Sequence, residues 1–237
     1  VDVLKIPSSF GNRNTLAHTA AEANSVACLD VLAKIGAASL FCSKNYIGET
    51  PMHLAASGDR VVEFINALVR YGAEATLWAV TNDGLTPMHY AAQNVTADAV
   101  DALIAHGAAS TLVARDNDGC LPIHHAARAD PDMWNSPRKV SRPTGCFEAL
   151  VAHGVSHGIG GMLFAVDNSG ENLAHKAATG GNVAVLHALA RHGAGAMLSA
   201  PIDDSTCSTP AHIAAMNGHV DVIEALVEHG AGKSLLA

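Results

Sequence analysis

Hydrophobic and polar positions fall into blocks that recur along the chain. Leu29, Leu32 and Ala33, and again Ile65, Leu68 and Val69, lie at helical spacing and predict an amphipathic helix in each block. Ahead of each such helix stands a shorter apolar segment with the pattern His-x-Ala-Ala. It begins at His18, His53, His89, His124, His175 and His212, at intervals of 35, 36, 35, 51 and 37 residues. In the second copy Thr50 reads as an N-cap, Pro51 as the first helical residue and His53 as the third. A threonine side chain can accept the N3 amide, and proline forfeits no bond at N1. The paired alanines leave one helix face without bulk, so neighbouring helices can approach closely. The second helix runs to Gly36, Gly72, Gly107, Gly154, Gly193 or Gly230, each preceded four places earlier by leucine. Glycine there predicts a left-handed C-cap.

Between that glycine and the next helix lie turn-forming runs such as Asn82-Asp83-Gly84 and Asn117-Asp118-Gly119, which predict a hairpin finger. A unit this small cannot bury its apolar face alone. Six phased copies therefore predict stacking into one continuous solenoid. The set Gly48, Thr50, Pro51, His53, Ala55 and Ala56 recurs as Gly84, Thr86, Pro87, His89, Ala91 and Ala92, with a Leu-x-x-x-Gly-Ala anchor downstream. In these signatures the chain resembles the ankyrin repeat, over residues 13–231. The resemblance implies an α-class fold: an ankyrin-repeat solenoid of stacked helix-turn-helix units joined by β-hairpin-like fingers, one domain over residues 1–237. It also implies a structural hydrogen-bonding role for the histidine column, and a module that binds another protein without catalysis. The resemblance specifies a fold and leaves the partner open.

Charge and cysteine usage narrow the setting. Lysine plus arginine number 14 against 22 aspartates and glutamates, a net charge of -8, which argues against a nucleic-acid surface. No apolar run approaches the ~20 residues of a membrane helix, so no membrane insertion is expected. The five cysteines are scattered, without a CxxC pair, as in a reducing compartment. A soluble, monomeric, cytoplasmic protein is expected, with the nucleus not distinguished. The opening valine, and the lack of a polar closing helix after Ser234, suit a piece of a longer protein. The second reading is therefore the substrate-recognition or targeting part of a larger enzyme or ligase complex.

Most chemically active side chains have a repeat explanation. His106, His153, His192 and His229 directly precede the second anchor glycine, where an imidazole suits the negative end of a helix dipole. His219 falls in the turn between helices. His125, His157 and His187 lack a repeat position but share no short ligand spacing, so neither metal nor cofactor is expected. The pair Thr50 and His53 recurs as Thr15/His18, Thr86/His89 and Thr209/His212, which reads as capping rather than as a nucleophile and its base. Cys28 and Cys146 share a column with Phe64, Ala99, Val185 and Val222, which predicts burial. Cys120 and Cys207 lie near finger tips, where partial exposure is expected.

Departures from a plain array point to partner contacts. The fourth unit carries an insertion at 130–143 with three prolines, which forbid a regular helix. It concentrates Trp134, Arg138, Lys139 and Arg142, residue types enriched at binding hot spots. It reads equally as a contact site and as a surface loop. Ser136 and Ser141 sit in short basic motifs, where phosphate would cancel the local positive charge. On the expected concave face, Thr19, Leu54, Tyr90, His125, Lys176 and Ile213 form one varied column. Glu22, Ser57, Gln93, Arg128, Thr179 and Met216 form another. Arg128, Tyr90, Gln93, Arg115 and Lys176 join the four insertion residues as candidate partner contacts. The fingers carry two apolar columns, Phe41/Leu77/Leu112/Leu163 and Cys42/Trp78/Val113/Phe164. Both predict packing between fingers, with Trp78 assigned to the core over a contact role. The ankyrin family often places asparagine, a hydroxylation target, in the second column; this chain does not, and that modification is not expected.

Overall fold

The computed structural model describes residues 13–58, 61–128, 144–202 and 207–231. Among the described residues twelve helices alternate in two rows. The inner row is α1 (Leu16–Glu22), α3 (Pro51–Ala56), α5 (Pro87–Gln93), α7 (Pro122–Arg128), α9 (Leu173–Gly180) and α11 (Pro210–Asn217). The outer row is α2 (Val26–Lys34), α4 (Val61–Arg70), α6 (Ala97–Ala105), α8 (Thr144–Ser156), α10 (Val183–Arg191) and α12 (Val220–Glu228). Each helix packs on its partner in the unit and on the equivalent helix of the next unit. One core runs from Ala17 to Ala231. The paired alanines are buried in α1, α3, α5, α7 and α9, which lets the short inner helices approach without side-chain bulk.

The anchor histidines explain why helices this short form where they do. The Thr50 amide and hydroxyl both donate to His53 Nδ1, at 3.1 and 2.9 Å. With Nδ1 an acceptor, the ring proton sits on Nε2, which donates to the Leu85 carbonyl of the following finger at 3.1 Å. The same staple joins His18 to Glu49, His89 to Cys120, His124 to Ala165 and His175 to Ser208, all through backbone oxygens at 2.9–3.2 Å. One imidazole thus caps its own helix and fastens it to the next unit. Burial lowers the affinity of these rings for a second proton, to a pKa of about 4 at His53, His89 and His124, despite the bonds to backbone carbonyls.

The fingers differ from the expected hairpins. Each begins with a 3₁₀ turn, at Ala38–Cys42, Glu74–Trp78, Ala108–Val113, Gly160–Phe164 and Gly195–Leu198. The turn absorbs the extra finger residues. It leads into a tight loop closed by bonds such as Thr81 N–H to the Leu85 carbonyl, at 2.9 Å. Among the described residues no strand forms; the single bridge pairs Val166 with Asn172. Fingers are stitched to one another at their tips. The Asn117 amide donates to Asp83 O and its side chain to Asn82 O, both at 3.0 Å. Asn82 and Asn168 repeat the arrangement on their preceding fingers. Gly84, at φ +80°, stands where a Cβ would come within 2.7 Å of Asn117 Oδ1, so the stitch requires glycine.

Three further expectations change. Phe41, Leu77, Leu112 and Leu163 are buried, but Trp78 is 46% exposed, and Cys42, Val113 and Phe164 are exposed with it. The second finger column faces solvent because it closes each 3₁₀ turn, where neighbouring side chains point about a third of a turn apart, so the residue beside the buried one turns outward. Cys146 is buried in the core column as expected, whereas Cys28 is exposed, its unit having no described neighbour on that side. Cys120 is buried despite its place near a finger tip. Finally, Gly36, Gly72, Gly107, Gly193 and Gly230 have positive φ, but α8 continues through Gly154 and the left-handed residue is Gly158. Gly154 instead lies within the helix, with the tip of the Met162 side chain packed against it.

Candidate functional site

The inner helices and finger turns of the fourth and fifth units border an open cavity of about 330 Å³, lined by Asp118, Cys120, His125, Arg128, Asp167 and Lys176 among others. Two helix positions supply its floor. His125 and Lys176 each follow an anchor histidine, which aims them at the finger ahead of their own helix. His125 Nε2 donates to Asp116 Oδ2 at 2.7 Å, and its Nδ1 accepts from the Gln93 amide at 3.2 Å. Lys176 Nζ lies 2.5 Å from Asp167 Oδ2 and 2.5 Å from Glu171 Oε2.

Asp116 and Asp167 are themselves held by the loops. Asp167 Oδ1 accepts the amides of Ser169 and Glu171, and Asp116 Oδ1 those of Asp118 and Cys120. Burial alone would favour protonation of Asp167, but Lys176 and the two amides outweigh it and hold its pKa low. For Lys176 burial acts against the charge, and the bonds to Asp167 and Glu171 overcome it and raise its pKa. Burial keeps His125 below the ordinary histidine value, against the pull of Asp116. Burial also pushes the Cys120 thiol up to about 12, so it is not a nucleophile at neutral pH.

Against this network, Arg128 stands apart. It ends α7, is exposed, and its guanidinium makes no hydrogen bond or ion pair with any described residue. Asp118 is likewise exposed, with an unbonded carboxylate among the described residues. The approach of α9 is set by Gly180, where a Cβ would collide with the Arg128 carbonyl.

The other sequence candidates fall elsewhere. The Tyr90 hydroxyl donates to Glu49 Oε1 at 2.7 Å, and its ring meets His53 edge-on at 5.1 Å. Arg115 reaches the Gly119 carbonyl and the Val166 carbonyl of the next finger. Lys176, Tyr90, Gln93 and Arg115 are thus bonded within the chain. Trp134, Arg138, Lys139 and Arg142, with Ser136 and Ser141, lie outside the described residues.

His89, Asp116 and His125 bring three potential ligand atoms within 4.8 Å of one another. Sequence spacing did not show this cluster. Each ring nitrogen is already committed: those of His89 to Thr86 and the Cys120 carbonyl, those of His125 to Gln93 and Asp116. A cation would have to displace that network.

Sequence reasoning also missed a ladder on the outer helices. The residue before each second anchor glycine bonds to the preceding unit. Tyr71 reaches Asp30 (2.6 Å), His106 Asn66 (2.6 Å), His153 Asp101 (2.7 Å), His192 Glu148 (2.9 Å) and His229 His187 (2.7 Å). Partner and donor keep the same offset from the glycine in every unit. That regular offset was the available signal.

Stacked helical pairs with a stapled histidine column, joined by stitched fingers, define a repeat solenoid, a class that presents surfaces built from many units. A family model described as ankyrin repeats (3 copies) matches residues 62–135 and 141–236, and the chain belongs to the ankyrin repeat family. Members are generally protein–protein interaction modules and typically non-catalytic. No curated protein matches the chain. Among the described residues no helix is long and apolar enough to cross a membrane.

Proposed function

We propose that this chain is a non-catalytic adaptor that binds another protein, as a monomer, through the concave side of its fourth and fifth units. The observation that carries the reading is the contrast at the cavity. Its inner polar groups are mutually bonded and preorganised, while Arg128 and Asp118 at its edge are charged and unbonded among the described residues. A rigid floor with available charges at the edge favours specific docking at low ordering cost. The insertion at 130–143, with Trp134, Arg138, Lys139 and Arg142, follows close after Arg128 in the chain.

The test is affinity capture from cytosol with three baits: the intact chain, Arg128→Glu, and a chain with 130–143 replaced by a short Gly-Ser turn. Matched circular-dichroism melts establish that all three fold alike. A partner held by the intact bait and lost at least tenfold with Arg128→Glu supports the placement. A partner held equally by all three baits overturns it.

A further inference from the structure

Beyond the cavity, the fingers carry a second surface. In each finger the first and fifth columns are buried: Phe41, Leu77, Leu112 and Leu163, then Asn45, Thr81, Asp116 and Asp167. The second and fourth columns face solvent: Cys42, Trp78, Val113 and Phe164, then Lys44, Val80, Arg115 and Val166. Trp78 is 46% exposed, Phe164 50%, Val113 43%, and Val80 and Val166 45% each. Singly exposed apolar residues need no explanation, but a contiguous row over adjacent units marks an interaction site. The row ends at the fifth finger, where the second column is Ser199 and the fourth Pro201.

The surface is preformed, because the asparagine stitches hold each finger tip to the one before. It is also electrostatically one-sided. Lys44 donates to the Val80 carbonyl at 2.7 Å and Arg115 to the Val166 carbonyl at 2.8 Å, so each lies across the neighbouring finger. Neither has a carboxylate partner among the described residues. The two columns contain no acidic residue, in a chain of net charge -8. Glu74 lies near Cys42 at one end, and Asp83 and Asp118 sit at the turn tips. Neighbouring units repeat at the ~8–10 Å spacing of packed helices. An α-helix presents the same face every seventh residue, about 10.5 Å along its axis. The two steps are close over a short row, so apolar residues seven apart can lie against neighbouring members of Trp78, Val113 and Phe164, with acidic residues beside them toward Lys44 and Arg115.

We infer that this row is a docking surface for an acidic amphipathic helix of a partner protein, with apolar anchors at heptad spacing. None of Trp78, Val113, Phe164, Lys44 or Arg115 lines the cavity, so this site and the concave one stand or fall separately.

The probe is a phage-displayed library of random 16-residue peptides, selected on the Trp134→Phe chain, which leaves Trp78 as its sole tryptophan. Recovered peptides should carry apolar residues seven apart with Asp or Glu between them. They should shift Trp78 emission to the blue saturably and lose at least tenfold in affinity against Phe164→Asp. Arg115→Glu should weaken them, and Arg128→Glu should leave them unchanged. Melting curves confirm that the variants fold. The proposal is overturned by no enrichment, by a basic consensus, or by binding that survives both Phe164→Asp and Val113→Asp. A dimer by sedimentation that is lost with Trp78→Ala, or a Trp78 shift on anionic vesicles in place of peptides, overturns it equally.

Discussion

The inner and outer rows of helices use histidine in opposite ways. On the inner row His18, His53, His89, His124 and His175 are buried and bonded at both nitrogens, to their own helix caps and to the next finger's backbone, whereas His212 in α11 is exposed and bonds only to Thr209. On the outer row the imidazole is partly exposed at a helix end and reaches a side chain of the preceding unit. Both rows link neighbouring units. The inner link satisfies backbone groups that burial would otherwise leave costly, whereas the outer link competes with water. Position in the unit, rather than residue type, therefore sets what each histidine contributes.

Acid gives the largest expected effect, through the buried anchor histidines of the inner row. The folded pKa of His53, His89 and His124 is about 4, against 6.5 for an unburied ring. The unfolded chain therefore binds protons that the folded chain refuses between those values. Their contribution is fully present above pH 6.5 and is lost as pH falls toward 4, on the order of 3 kcal/mol per histidine. Urea midpoints measured from pH 7.5 to 4.5 should drop steeply below 6.5; a flat profile would contradict the buried neutral assignment.

His89→Ala should come next, costing about 2–4 kcal/mol, because it opens a cavity and leaves the Cys120 carbonyl without its donor. Denaturant titration at neutral pH measures it. Gly180→Ala tests the close approach of the inner helices. Its methyl group meets the Arg128 backbone, so a loss of about 1–3 kcal/mol and faster amide exchange at the end of α7 are expected. The smallest effect should be His153→Ala on the outer row. Its bond to Asp101 spans side chains 26% and 62% exposed, and removal should cost less than about 1 kcal/mol. A cost for His153→Ala equal to that of His89→Ala would erase the distinction between the rows.

The two regions were also unequally legible. Inner-row caps follow from local chemistry: threonine, proline and histidine at fixed offsets define a helix start in any context. Trp78 was misassigned because an apolar column implies burial only when its face is known. That face was set by the 3₁₀ turn at Glu74–Trp78, which depends on how the finger packs. Gly154 was misread for a similar reason. In its unit the helix is prolonged past the glycine, which sits in helical conformation with the Met162 side chain packed over it. The cavity beside Arg128 combines residues from two units and two fingers, so no short window contains it.

Repetition at a near-constant period was enough to establish the solenoid, its helix starts, its buried leucine and alanine columns and its family. These follow from contacts that every unit repeats with the next, and the spacing in the chain encodes them directly. Which polar groups remain available was a matter of three-dimensional packing. Lys176, Gln93 and Tyr90 found partners one finger or one unit away, while Arg128 found none among the described residues. Such pairings depend on distances between units that share no neighbouring sequence, and on the facing of side chains once each finger has been docked.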